Sequence, residues 1–337
     1  MTEEKNFYVK DDFDSIIEVL KKYNSFALFC HINPDGDAIG SICSLKQVLS
    51  EMGKKAFAFC DGELPHNLLY LDAGLDSDES VIKDVDVCIM LDCNSLNRVG
   101  KYAQLFDSAK IKCKIDHHQM SDYTFDASIT SPQSPSTCDI VYDIIKTLNV
   151  PITENVAQFL YAGIASDTGC FVHQSTTPLS HLKSYHLMST GFDYENANYQ
   201  LFKLKEKGYL AFLKQTLKRT KSYLDGELYI TCFDYKHYMK YKDIIENCAF
   251  GFLDGIDGNE IRVRIFEKEK GFFSCALRSN KYANVCSIAK QFGGGGHIRA
   301  SGFRVESSQN KLVSELVKVC KQEINLSKKL AKNTENN

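Results

Sequence analysis

One stretch limits what this chain can fold into more than any other: His31-Ile32-Asn33-Pro34-Asp35-Gly36-Asp37-Ala38-Ile39-Gly40-Ser41. An apolar, strand-like segment, 25–30, precedes it. Apolar residues at Ile39, Ile42, Cys43, Leu45, Val48 and Leu49 follow at the spacing of one helix face. One imidazole and two carboxylates therefore sit on a strand-to-helix turn, where rigid elements hold polar groups open to a crevice. Pro34 fixes its own φ and is expected to hold Asn33 extended, with Gly36 supplying the bend between the acids. Carboxylates this close to one another repel unless a positive charge lies between them, and a divalent metal is the simplest candidate. The competing reading is an Asx-rich helix cap, with Asp37 as N-cap and His31 a buried strand-end residue.

That competing reading weakens because the arrangement recurs. Strand-like segments follow at 55–60, 85–91 and 111–115, separated by helical or loop segments, notably 38–52 and 101–109. The alternation predicts an α/β fold with a doubly wound, mostly parallel sheet and helices on both faces. Asp92 closes the strand 85–91, and the loop after it carries Arg98, either a surface charge or an anion ligand. Lys114-Ile115-Asp116-His117-His118-Gln119 closes the next strand. On extended backbone its neighbouring histidines would point to opposite sides, one toward a metal and the other toward substrate or a group that supports the metal ligands. Asp167 ends a helix and opens an Asp-Thr-Gly turn; the aspartic-protease reading of that triplet needs paired acids in an all-β setting, which this chain lacks. Asp35, Asp37, Asp92, Asp116 and Asp167, with His31, His117 and His118, would crowd one sheet edge. Carboxylate and imidazole without thiolate favours Mn²⁺ or Mg²⁺, with Zn²⁺ or Co²⁺ allowed. Two ions bridged by a carboxylate would activate water and clamp a phosphoryl group.

A length of 337 residues suggests two domains, and 44% hydrophobic with 25% charged residues is ordinary for a globular protein. A net charge of −3 advertises no long nucleic acid but is compatible with a short ligand gripped in a cleft. Thirteen cysteines, none in Cys-x-x-Cys and several in apolar strands (Cys30, Cys60, Cys88, Cys113), predict a reduced, cytoplasmic protein without a disulfide framework. No signal peptide is read at the start, and no apolar run reaches membrane-spanning length.

Downstream, 131–137 reads as a loop ending in a Ser or Thr cap for a helix over 137–148, followed by helices over 153–165, 179–190 and 195–222. The expected division is a metal-binding domain over 1–194, a helical connection over 195–222, a smaller α+β domain over 223–326 and a disordered tail over 327–337. In the smaller domain, strands fit 227–234, 260–267 and 271–278, the last two as a hairpin, then a helix over 284–292, a strand near 301–305 and a helix over 309–326. Gly293, Gly294, Gly295 and Gly296 precede His297. The run is either a flexible loop or an anion-approaching one; no Lys-Ser or Lys-Thr follows to make it a Walker A loop. His297 and Arg278 could complete a phosphate or base pocket there.

These motifs in this order resemble the DHH/DHHA1 phosphoesterase family, from about residue 25 to 305, and its compact bacterial oligoribonuclease and pAp phosphatase branch more than the longer RecJ-type exonucleases. The resemblance implies a catalytic DHH domain, a DHHA1 substrate domain and a cleft between them. It implies one metal on His31, Asp35 and Asp92 and a second on Asp37, Asp92, His117 and Asp167, with Asp92 bridging. His118 would lie near the scissile phosphate with Asp116 orienting it, and Arg278, Gly294, Gly295, Gly296 and His297 would grip substrate, with Arg98 a further contact. The activity implied is Mn²⁺-dependent, with Mg²⁺ or Co²⁺ as substitutes, on short single-stranded RNA or pAp. Alternatives are a phosphodiesterase for cyclic dinucleotides or linear pApA and a non-catalytic nucleotide-binding regulator. No long duplex and no membrane partner are expected, and a homodimer is allowed.

Overall fold

The computed structural model describes residues 10–118, 123–247, 253 and 255–335. The polar start 1–9, Gln119 and the last two tail residues, Asn336 and Asn337, lie outside the described residues. The chain divides into two compact units, Met1–Leu204 and Lys205–Asn337.

The first unit runs α1 (Lys10–Lys22), β1 (Ser25–Phe29), α2 (Gly36–Glu51), β2 (Lys55–Phe59), β3 (Val87–Leu91), α3 (Ala103–Asp107), β4 (Ile111–Asp116), β5 (Ala127–Thr130), α4 (Thr137–Leu148), α5 (Glu154–Asp167), α6 (Pro178–Met188) and α7 (Tyr194–Asn198). Its five strands lie in the order β2-β1-β3-β4-β5, all parallel. Because β2 and β3 flank β1, the winding reverses there, and the crevice beyond the carboxyl ends of β1 and β3 is the switch point of such a sheet. The inner strands β1 and β3 read as near-continuous apolar runs because both of their faces are covered. Phe26 and Leu28 join a core with α2, α4 and α5, whereas Ala27 and Phe29 meet Val99, Tyr102 and Phe106 on the other side. β5, too short to show a period, is a strand that pattern reading overlooks.

α2 and α5 approach backbone to backbone. A Cβ at Gly40 would run into the Phe159 carbonyl, and one at Gly36 would lie 2.9 Å from the Ala162 carbonyl oxygen. This closeness brings the first turn of α2, with Asp37, beside the last residue of α5, Asp167.

The second unit runs α8 (Tyr209–Arg219), β6 (Thr220–Tyr223), β7 (Leu228–Phe233), α9 (Tyr235–Asn247), β8 (Ile261–Glu269), β9 (Phe272–Ser279), α10 (Val285–Gln291), β10 (Gly295–Gly296), β11 (Ala300–Glu306) and α11 (Gln309–Glu335). Its sheet order is β10-β11-β9-β8-β7-β6, in which β7 and β8 pair parallel and the other neighbours antiparallel. One face packs on α10 and α11 through Ile230, Val263, Ile288, Leu312 and Leu316. On another core, Phe233 and Phe266 meet Phe212 and Tyr238.

Three expectations change. The helical run 195–222 is interrupted: α7 passes into one π turn over Tyr199–Lys203, and α8 starts only after Gly208, whose φ of +97° an interior helical residue does not adopt. Thr220–Tyr223 then leaves the helix to pair with β7. The expected disordered tail is helical through Glu335, since no Gly or Pro interrupts it and Ser327, buried, donates to Glu323 Oε1 at 2.8 Å. Of the glycine run, Gly295 and Gly296 form a two-residue strand, whereas Gly293 and Gly294 lead into it from α10. Among the described residues the cysteines are free, and no helix is long and apolar enough to cross a membrane.

Gly40→Ala should cost about 1–3 kcal/mol of stability, because the added methyl meets backbone that cannot rotate away. A urea midpoint equal to the parent's would contradict the close approach of α2 and α5.

Candidate metal centre

At the end of β1, His31 Nδ1 lies 2.8 Å from the Ile32 carbonyl oxygen. That acceptor places the ring proton on Nδ1 and leaves Nε2 as a free lone pair, 3.3 Å from Asp92 Oδ2 and 3.9 Å from Asp35 Oδ2. The bend falls at Asn33, with φ +55°, and not at Gly36, the first residue of α2; asparagine tolerates this left-handed conformation even before proline. Asp35, rather than Asp37, is the N-cap: its Oδ1 accepts from Asp37 N at 3.1 Å and Ala38 N at 3.0 Å, leaving Oδ2 toward His31. Asp37 is thereby freed for another contact. Buried, it takes Thr137 N at 2.6 Å on Oδ2 and Cys138 N at 2.8 Å on Oδ1.

Asp92, just past β3, adopts φ +52° while its N–H still donates to the Ile115 carbonyl at 3.1 Å. Its two oxygens face different partners. Oδ2 faces His31, and Oδ1 lies 3.5 Å from His117 Nε2, 3.4 Å from His118 Nδ1 and 3.2 Å from Thr137 Oγ1. His117 Nε2 is also 3.2 Å from Asp167 Oδ2 and 3.9 Å from Asp37 Oδ2, with Nδ1 toward the Ser134 carbonyl at 3.3 Å. The two histidines do not point to opposite sides. Their ring centroids are 4.5 Å apart, because the chain turns out of the strand at Asp116, whose Oδ1 accepts both His118 N at 3.0 Å and His118 Nδ1 at 2.8 Å. Behind it, buried Lys114 sits two residues earlier on the same strand face, 3.8 Å from Asp116 Oδ2.

Among the described residues, three sets of groups offer ligand atoms within 4.8 Å of one another: His31, Asp35 and Asp92; Asp37, His117 and Asp167; Asp92, His117 and His118. Their electrostatics are unbalanced without a cation. Burial, then the Asp92 and Asp167 charges, push Asp37 well above the usual carboxylate range. Burial likewise pushes Asp167 up to about 6 against the pull of His117. Burial would raise Asp92 too, but His117 and His31 outweigh it and hold Asp92 low. Burial opposes the charged form of His117, yet Asp167 and Asp92 raise it to about 12, and His31 is raised in the same way by Asp92. Asp116 Oδ2 is buried with no hydrogen-bond partner among the described residues. Oxygen and imidazole donors, tautomers set to expose Nε2, and no thiolate among them fit hard or borderline divalent cations.

The remaining expected residues fall elsewhere. Arg98 is half-buried, and its carbonyl accepts Ile32 N at 2.7 Å, so its backbone holds the β1 turn. In the second unit, exposed Arg278 on β9 stands opposite Arg262 on β8 and Ala300 on β11. His297 is exposed in the turn joining β10 to β11, where its N–H donates to the Ala300 carbonyl at 2.7 Å. Gly294 and Gly296 lie against β11, a Cβ on Gly296 meeting the Ala300 carbonyl oxygen at 2.6 Å, whereas Gly295 faces open space. Arg299 is tied to the Ala283 carbonyl at 3.0 Å. Sequence reading found the Ser-Thr cap before α4 but not that the Thr137 and Cys138 amides which follow it meet Asp37, and missed Lys114, for which no local pattern exists.

Removing divalent cations should destabilise the first unit, since the clustered carboxylates then lose their counter-charge. A cation at 100 times its Kd adds about 2.7 kcal/mol. A melting temperature indifferent to chelation and Mn²⁺ readdition would argue against cation binding here.

Residues 25–164 match the model of the DHH family, N-terminal domain. The bifunctional oligoribonuclease and PAP phosphatase NrnA of Thermus thermophilus is 27% identical, over 85% of this chain and 86% of its own length. A probable protein of the same name from Streptococcus mutans is 26% identical, over 86% and 92%. The crystal structure of an exopolyphosphatase-related protein from Bacteroides fragilis superposes with a TM-score of 0.85 at 22% identity, covering 98% of this chain and 100% of that one, which establishes the shared fold. The strand-end acids Asp35, Asp37 and Asp92, the Asp-His-His triplet and the parallel sheet that gathers them all lie within the residues that match this DHH family model.

Proposed function

We propose that this chain is a Mn²⁺-dependent phosphoesterase that hydrolyses short single-stranded RNA to mononucleotides and removes the 3′-phosphate of pAp. The observation that carries the reading is Asp92, whose two oxygens face two separate ligand sets. His31, Asp35 and Asp92 would hold one cation, and Asp37, Asp92, His117 and Asp167 the other. Such a pair supplies charge neutralisation at the phosphoryl oxygens and acidifies an attacking water.

The chain's own groups do the rest. His118 donates a hydrogen bond from Nδ1–H to Asp116 Oδ1, which points Nε2 the other way, where a proton that it carries would be donated to a phosphoryl or leaving-group oxygen. The Asp116 bond holds the ring in that tautomer. Arg278 offers a guanidinium to a phosphate, and His297 offers an imidazole at the turn that follows the Gly294–Gly296 segment. In this division the first unit does the chemistry and the second grips the nucleotide. Relatives named for oligoribonuclease and PAP phosphatase activity support the substrate class.

A substrate panel tests this: pAp, two- to five-residue RNA, pApA, cyclic dinucleotide and pyrophosphate, each with Mn²⁺. Release of AMP from pAp and mononucleotides from short RNA is expected; turnover of the cyclic dinucleotide alone, or of none, would replace the proposal. Asp92→Ala should lower kcat by about a thousandfold or more, since it removes a carboxylate shared by both ligand sets. Retention within tenfold at saturating Mn²⁺ contradicts a shared ligand. Arg278→Ala and His297→Ala should each lose roughly tenfold to a hundredfold in kcat/KM for pAp or RNA, a charged hydrogen bond being worth about 1.5–3 kcal/mol. Bis-p-nitrophenyl phosphate, which offers no nucleotide to grip, should be affected far less. Equal losses on both substrates would place these side chains in the chemical step instead.

A further inference from the structure

We infer that Thr137 is a positioning residue that couples the two ligand sets of the metal centre. The inference rests on the metal reading above and adds a residue that reading does not use. Thr137 is the first residue of α4 and is fully buried. Its N–H donates to Asp37 Oδ2 at 2.6 Å, and its hydroxyl donates to Asp92 Oδ1 at 3.2 Å. One residue thus touches a carboxylate from α2 and another from the end of β3.

The two bonds do different things. The amides of Thr137 and Cys138 occupy both oxygens of Asp37, aiming the positive end of a twelve-residue helix at its charge. The hydroxyl sets the rotation of the Asp92 carboxylate. With Oδ1 held toward Thr137, His117 and His118, Oδ2 is left facing His31. Without that bond the carboxylate could turn about χ2, and the separation of the two ligand sets would no longer be defined.

α4 is itself anchored, so the clamp does not drift. Ser136 Oγ accepts Asp139 N at 3.1 Å. From α6, buried Lys183 Nζ reaches the Asp139 carbonyl at 3.0 Å and the Asp139 and Asp143 carboxylates at 2.8 Å each. On the far side, a Cβ at Gly163 would lie 2.5 Å from Asp37 Oδ1, so α5 leaves only enough room for the carboxylate as placed. The bland alternative is a buried helix-start threonine whose hydroxyl is merely satisfied by a nearby acceptor.

Thr137→Val keeps the shape and the backbone N–H but removes the hydroxyl; Thr137→Ser keeps the hydroxyl. Mn²⁺ is titrated into each by calorimetry, and electron paramagnetic resonance reads the magnetic coupling between bound ions. Thr137→Val should bind one of two Mn²⁺ ions about 10- to 100-fold more weakly and lose the coupled signal at two equivalents, with Thr137→Ser within about threefold of the parent. For pAp, kcat should fall and KM stay near the parent's. If Thr137→Val does not fold, Thr137→Ala carries the same expectation. A parent with a coupled pair and a folded Val or Ala variant with unchanged affinity and coupling would overturn the role of Thr137 alone. A parent that binds no pair would overturn the metal reading, and this inference with it.

Discussion

Repulsion among Asp37, Asp92 and Asp167 is the constraint on which the first unit depends. Three buried or nearly buried carboxylates converge beyond the end of a parallel sheet, and each charge raises the cost of the others. Unsupported, the acids would move apart or take up protons. The fold opposes this with imidazoles whose remaining nitrogens are tied to carbonyls or to Asp116, and with the positive end of α4. What is left over is a deficit of positive charge that divalent cations fit.

The packing serves that convergence. α2 and α5 can bring Asp37 and Asp167 together only because Gly36, Gly40 and Gly163 let the two backbones and the Cys138 and Asp37 side chains approach. β1 lies between β2 and β3, so loops from β1 and β3 open into one crevice. Lys114, two residues before Asp116, brings a buried cation to the back of that acid. Its ammonium is pulled below its ordinary pKa by burial, and it packs 5.7 Å from the Phe125 ring centroid. The second unit uses a different device, a mixed sheet whose glycine-rich edge lets β10 lie closely on β11 and leaves His297 at the exposed turn.

Much of this was legible in the amino-acid sequence. A short apolar run ending in an acid, repeated at 25–37, 85–92 and 111–118, is local chemistry on a local element, and period and turn residues suffice to read it. The ligand residues come from those runs and from the Asp-Thr-Gly turn. Boundaries were less legible where polar composition and helical propensity conflict: α11 continues to Glu335 through a Lys- and Asn-rich end, and the run after 195 breaks at Gly208. Asn33 took the bend that Gly36 was expected to take, because αL is open to asparagine and the glycine was needed for closeness to α5.

Tertiary structure alone decided which groups meet. Nothing local says that Asp35 rather than Asp37 caps α2, because the choice depends on α4, a hundred residues away, offering Asp37 two amides. Nothing local says that both rings of His117 and His118 face Asp92, since that follows from where the chain leaves β4. By itself the sequence determined the elements and the donor types, because propensity, period and side-chain chemistry are properties of short segments. The pairing of Thr137 with Asp92, the burial of Lys114 and the sharing of Asp92 between two ligand sets required the sheet order and the close approach of α2 and α5, which bring together residues that no short-range pattern connects.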